Sequence, residues 1–97
     1  MKNVFISMLN FNGKKNTLEC LDSLKNLSSK VLRLQIFVVD NASTDGSPSV
    51  ISNLKSQISN LKFIQNEKNL GFSGGQNTGI RYALENGADY VLILNND

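Results

Sequence analysis

Two apolar runs in this chain end at carboxylates: Ile36-Phe37-Val38-Val39 stops at Asp40, and Val91-Leu92-Ile93-Leu94 stops at Asn95-Asn96-Asp97. Short runs rich in β-branched residues and bounded by polar turns predict buried parallel strands. An open α/β sheet takes its ligands beyond the carboxyl ends of such strands. Both acids are therefore expected at one crevice, a placement that suits a nucleotide and a divalent metal.

The chain has 97 residues, enough for one small domain and too few for two independent cores. A function that needs a second lobe must borrow it. With 40% hydrophobic and 19% charged residues the composition is that of a globular protein, which excludes disorder. A net charge of +2, with no basic cluster larger than Lys14-Lys15, gives no nucleic-acid footprint. Cys20 is the single cysteine, so an intrachain disulfide and a multi-cysteine zinc site are excluded. With no histidine in the chain, Cys20 also lacks the usual partner base of a nucleophile and reads as a small apolar helix residue. No run approaches the roughly 20 apolar residues of a membrane span, and the start lacks a signal-peptide core, so a cytoplasmic location with at most peripheral membrane contact is expected.

Along the chain, Val4 to Leu9 predicts a first strand, broken by Asn10-Phe11-Asn12-Gly13. Asn16-Thr17-Leu18-Glu19 fits a capping box, and Leu18, Leu21, Leu24 and Leu27 recur at helical spacing, so a helix is expected from Thr17 to Leu27. After the polar connection Ser28 to Arg33, Leu34 to Asp40 is the second strand. Ser47-Pro48 reads as an N-cap followed by proline at the first helical position, with Val50, Ile51, Leu54 and Ile58 as the buried stripe. Leu61 to Gln65 is a third strand. Ser73-Gly74-Gly75-Gln76 repeats the capping-box pattern before a third helix with Ile80, Ala83 and Leu84 inside, and Gly87 stands where a left-handed terminator belongs. Tyr90 to Leu94 is the fourth strand. Strands alternating with helices, joined by right-handed crossovers, predict a mainly parallel α/β sheet of Rossmann-like form, order 3-2-1-4, with helices on both faces. The order reverses between the first and fourth strands, so the loops after strands one, two and four converge.

Asp40 can accept hydrogen bonds from a ribose hydroxyl or a pyrimidine N–H; the alternative is a carboxylate that organises the next loop. The phrase Asp40 to Ser47 holds more side-chain acceptors than a connection needs. Asp45 also reads as a turn former ahead of Gly46. Asp97 offers a hard oxygen ligand to Mg2+ or Mn2+, ions that take one or two protein carboxylates and fill the shell with water and phosphate oxygens. Gly71, Gly74, Gly75 and Gly79 permit close backbone approach beside a helix N-terminus, and Asn77 and Arg81 lie one turn apart on that helix, within reach of a ribose or phosphate. The first turn carries neither a dinucleotide fingerprint nor a P-loop, which sets nicotinamide enzymes and P-loop ATPases aside.

Four segments in order, Leu9 to Gly13, Val38 to Ser47, Asn69 to Ile80 and Leu92 to Asp97, resemble the family 2 glycosyltransferases of the GT-A fold. The resemblance implies that the 97 residues are a single nucleotide-sugar-binding domain, truncated relative to the family. It implies nucleotide contacts by Asn10, Phe11, Asn12, Asp40, Asn41, Asp45, Gly74, Asn77 and Asn95, and metal ligation by Asp97 where the family carries a D-x-D motif. Asn95 replaces the first aspartate of that motif, a form similar to the rhamnosyltransferase-like branch, which points to a UDP- or dTDP-linked donor. The family's acceptor-binding half and general base lie beyond this motif, so no catalytic residue is assigned and the chain is expected to be inactive alone. A fourth strand left without its neighbour invites pairing with another copy through the open edge. Two other readings compete: a non-catalytic nucleotide-binding or assembly module, and a sugar nucleotidyltransferase, whose glycine- and arginine-rich first loop Asn10 to Lys15 does not provide.

Overall fold

The computed structural model describes residues 2–27 and 29–95. Four strands, β1 (Lys2–Asn10), β2 (Leu32–Asp40), β3 (Leu61–Gln65) and β4 (Tyr90–Leu94), alternate with three helices, α1 (Lys14–Leu24), α2 (Ser47–Asn53) and α3 (Gly71–Glu85). The sheet order is β3-β2-β1-β4 and every pairing is parallel. The expected order and strand direction are therefore observed, with β1 and β2 each two residues longer at the start than the apolar runs indicate.

Side chains alternate between two layers, as the pleat requires. On one face Met8, Ile36, Val38 and Leu61 pack with Leu21 of α1 and Ile51 of α2; on the other Phe5 and Phe37 pack with Ala83 of α3. Phe37 meets Phe5 and Tyr82 edge-on at ring distances of 4.7 and 4.9 Å. Cys20 lies at the rim of the first layer, and burial raises its thiol pKa above the ordinary value.

Two helices, α1 and α3, depart from expectation at their starts. α1 begins at Lys14, three residues before Thr17, and ends at Leu24, leaving Leu27 exposed. Neither capping box forms: no side-chain cap bond closes α1 or α3, and α3 begins at Gly71, two residues before Ser73. The second helix stops at Asn53 and tightens into a 3-10 turn, Leu54–Ser56. On α3 the inner face is Gly75, Gln76, Gly79 and Ala83, whereas Leu84 points outward. This rotation follows from the glycines: a Cβ at Gly79 would collide with Ser7 Oγ, and one at Gly75 would lie 2.9 Å from Asn41 Nδ2, so α3 sits closer to the sheet than a larger residue permits. Gly87 has φ +86° and ends α3, with Ala88 N–H donating to Ala83 O and Gly87 N–H to Leu84 O.

Candidate functional site

Asn10 ends β1 directly opposite Asp40 at the end of β2, and both are fully buried. Asn10 Nδ2 donates to Asp40 Oδ1 at 2.7 Å, to Ser47 Oγ at 2.8 Å and to Ser43 Oγ at 3.2 Å, while Thr17 Oγ1 donates to Asn10 Oδ1 at 2.7 Å. Asp40 Oδ1 also accepts from Ser43 Oγ at 2.7 Å, and Oδ2 accepts from Ser43 N–H and Gln65 Nε2, each at 2.9 Å. Four donors thus occupy the Asp40 carboxylate, as a buried charge requires. These bonds let the carboxylate organise the loop that follows β2.

The loops beyond β1 and β2 are tied to each other from the outside. Asn12, left-handed at φ 49°, donates its N–H to Ser43 Oγ at 2.9 Å, and its Oδ1 accepts Thr44 N–H at 2.7 Å. Asp45 accepts Lys14 N–H at 3.1 Å and Ser47 N–H at 3.0 Å, and the Ser47 hydroxyl completes the set. The Ser47 hydroxyl is the main cause holding the Asp45 carboxyl below its ordinary value, with the Ser47 and Lys14 amides adding to it. Asn41 is buried and reaches the other way: its Nδ2 donates to Gly71 O at 3.0 Å, and its Oδ1 accepts Leu70 N–H at 3.1 Å and Asn66 Nδ2 at 3.2 Å. One residue thereby anchors the start of α3 to the end of β2.

Phe11, Asn12 and Asn77 are exposed on loops or helix around this hub, and Asn95 is exposed just past β4. Gly74 faces Leu70 within its own helix turn, where an added Cβ would come within 2.8 Å of Leu70 Cβ. Arg81 is exposed. The structure therefore joins Asn10, Asp40 and Asn41 by direct hydrogen bonds, ties in Asn12 through Ser43 and Asp45 through Ser47, and leaves Phe11, Asn77 and Asn95 exposed at the surface. Thr17, Ser43, Ser47 and Gln65 belong to the same network. Ser43 and Ser47 fall inside the acceptor-rich phrase after Asp40, but nothing local marks Thr17 or Gln65.

Because β2 and β4 flank β1, their tips lie two strand spacings apart, about 10 Å. Asp97 lies outside the described residues. Among the described residues no cluster of three or more His, Cys, Asp or Glu could hold a metal, and the carboxylates of Asp40 and Asp45 already accept several donors each. These residues alone do not make a cation site. No described helix is long and apolar enough to cross a membrane.

The family model Glycosyl transferase family 2 matches residues 5–97. The chain is 31% identical over 88 residues to the Poly(ribitol-phosphate) beta-glucosyltransferase of Bacillus spizizenii, covering 90% of this chain and 13% of that protein. Its fold superposes on S. aureus TarS 1-349 in complex with UDP-GlcNAc with a TM-score of 0.77 at 28% identity, covering all of this chain and 27% of that one. Against the mannosyltransferase PcManGT from Pyrobaculum calidifontis, in complex with GDP-Man and Mn2+, the TM-score is 0.70 at 26% identity, covering 82% of this chain and 24% of the other. The chain thus spans about a quarter or less of each protein it matches here.

Proposed function

The chain belongs to the family 2 glycosyltransferases, and on that footing we propose that it is the donor-binding part of an inverting glycosyltransferase, binding a nucleotide-diphosphate sugar beyond the carboxyl ends of β1, β2 and β4. The observation that carries this reading is the buried Asn10–Asp40 pair with its ring of hydroxyl and amide partners at the carboxyl ends of β1 and β2, one strand from the β1/β4 reversal of strand order. Such a network fixes the two loops before any ligand arrives, so binding does not first have to order them. Phe11 and Asn12 meet the base and ribose from the first loop, Asn77 reaches from α3, and Asn95 faces the sugar diphosphate. Asn10, Asp40, Asn41 and Asp45 act on the ligand chiefly through the loops they brace, and Gly74 lets the α3 backbone lie near it.

In this reading Asp97 is the ligand of a Mg2+ or Mn2+ ion, which offsets the charge of the diphosphate when bound. The donor is UDP- or dTDP-linked. Complexes of relatives with UDP-GlcNAc and with GDP-Man and Mn2+ support donor and metal as classes. These 97 residues by themselves bind the donor without transferring its sugar, since none of them is assigned as the general base, and a second copy pairs through the outer edge of β4. Titration calorimetry with UDP and dTDP is expected to give saturable binding that tightens when Mn2+ is added. Absence of heat with either nucleotide, metal present or not, would favour the non-catalytic module instead. A time course of sugar release or transfer above a no-protein control would overturn the inactivity of the isolated chain.

A further inference from the structure

At the opposite end of the sheet, below the C-terminus of α3, a cleft of about 280 Å³ is lined by Asn3, Phe5, Arg33, Gln35, Lys62 and Asn86. It is built where the strands begin, so it is separate from the loops beyond their carboxyl ends. Arg33 and Gln35 stand on the same face of β2, and Lys62 stands on the adjacent β3, paired with Phe37 one alternate residue further along. Folding thus brings together two cations that are far apart in the sequence, which is why no basic cluster was legible there.

Neither cation is in an ion pair among the described residues. The ion pair among the described residues is Lys25–Asp22, elsewhere in the molecule, and no carboxylate lines the cleft. The acids nearest along the chain are Glu85, beside Asn86 at the end of α3, and Asp89, whose Oδ2 accepts the Asn3 N–H at 2.7 Å; neither is among the residues that line the cleft. The end of α3 presents a partial negative charge, but a helix pole amounts to about half an elementary charge, whereas Arg33 and Lys62 supply two full ones. The described lining residues thus include two cations and no acid, with Gln35 on β2 adding a neutral carboxamide. Guanidinium, ammonium and amide donors around a concave space match the oxygens of a phosphate group, which guanidinium binds in bidentate fashion.

We propose that this cleft is a second ligand site, distinct from the donor crevice, that takes a phosphate monoester or phosphate ion between Arg33 and Lys62. The probe is inorganic phosphate, followed by glycerol phosphate, each added to the full chain against sodium chloride at matched ionic strength. Amide NMR shifts are expected to saturate and to group on Asn3, Arg33, Gln35 and Lys62, with thermal stability rising in step. Arg33→Gln and Lys62→Gln, both at exposed positions, are expected to raise the half-saturation concentration about fivefold or more. Lys55→Gln, on the 3-10 turn, leaves it unchanged. Shifts confined to the Asn12, Asn41 and Gly71 loops would assign phosphate to the donor crevice alone and overturn this site without touching the donor reading. Shifts that track ionic strength across all lysines, or unchanged half-saturation in both variants, would also overturn it.

Discussion

Asp40 is a buried charge held by four donors, and a buried carboxylate is stable only while those donors stay aimed at it. Asp40→Asn keeps the shape but replaces one acceptor oxygen with an NH2 group that faces Asn10 Nδ2 and Ser43 Oγ, or Gln65 Nε2 and Ser43 N–H. A donor facing donors costs more than a lost bond, so urea denaturation is expected to show a loss of about 3 kcal/mol. An unchanged midpoint would mean that the ring does not brace the loops. Asp45 behaves differently because it lies nearer solvent. Its folded pKa is lowered from 3.8, chiefly by the Ser47 hydroxyl, so the folded state binds this proton less readily than the unfolded chain. The resulting stabilisation is fully present above the unfolded value and fades as pH falls through the lower folded one. Wild type and Asp45→Asn are therefore expected to differ in denaturation midpoint at about pH 6, with the gap narrowing as pH falls below 3.8 and through the lowered folded value. A gap that persists at the acid end would assign the effect to shape instead of charge.

Strands were legible in the sequence, as was the start of α2 at Ser47-Pro48, whereas the starts of α1 and α3 were not, for a physical reason visible in their long-range bonds. Strands announce themselves through a local signal, an apolar run stopped by Asn10, Asp40, Gln65 or Asn95, and all four stops are where those runs end. Those two helix starts are fixed by groups remote in the chain: Asp45 accepts the Lys14 N–H, and Asn41 accepts the Leu70 N–H and donates to Gly71 O. Asn16 and Ser73 resemble caps locally, but tertiary bonds have already started each helix upstream of them. The same applies to the site, where Asn10 and Asp40 could be nominated from their strand ends while Thr17 and Gln65 could not. The seat of α3 offers its own test. Ser7 Oγ is buried with no hydrogen-bond partner among the described residues, and it is the atom that a Cβ at Gly79 would strike. Ser7→Ala removes an unsatisfied hydroxyl and is expected to be neutral or stabilising by up to about 1 kcal/mol. Gly79→Ala alone is expected to cost about 2 kcal/mol by overpacking. Combining them leaves Ser7 Cβ at 3.6 Å and Val39 Cγ2 at 3.2 Å, so the double variant should recover much of that loss in a mutant cycle. Strict additivity would show that α3 is not seated against Ser7.

At the scale of the whole molecule, the two sheet edges are unequal. β3 and β4 are equally short, but β3 carries Lys62, which discourages pairing with another chain, whereas β4, bonded to β1 alone among the described residues, exposes Tyr90, Leu92 and Ile93 at 61%, 53% and 46%. Tyr90 and Leu92 project to one side of the strand and Ile93 to the other, so both faces beside the free edge are apolar. An open row of backbone donors and acceptors flanked by apolar side chains is the surface most able to add a strand, and a second copy of the chain presents the same edge. Light scattering at about 50 μM is therefore expected to give a mass above that of the 10.7 kDa monomer. Leu92→Lys and Ile93→Lys place a charge beside the edge without altering the β1 side of the ladder, and each is expected to return the mass to the monomer. Because the Asn10–Asp40 hub joins β1 to β2, away from the outer edge of β4, the same variants should leave the fold around that hub unchanged. A monomeric parent would remove the edge as an interface, and a lysine variant that stays associated would move the interface to another face.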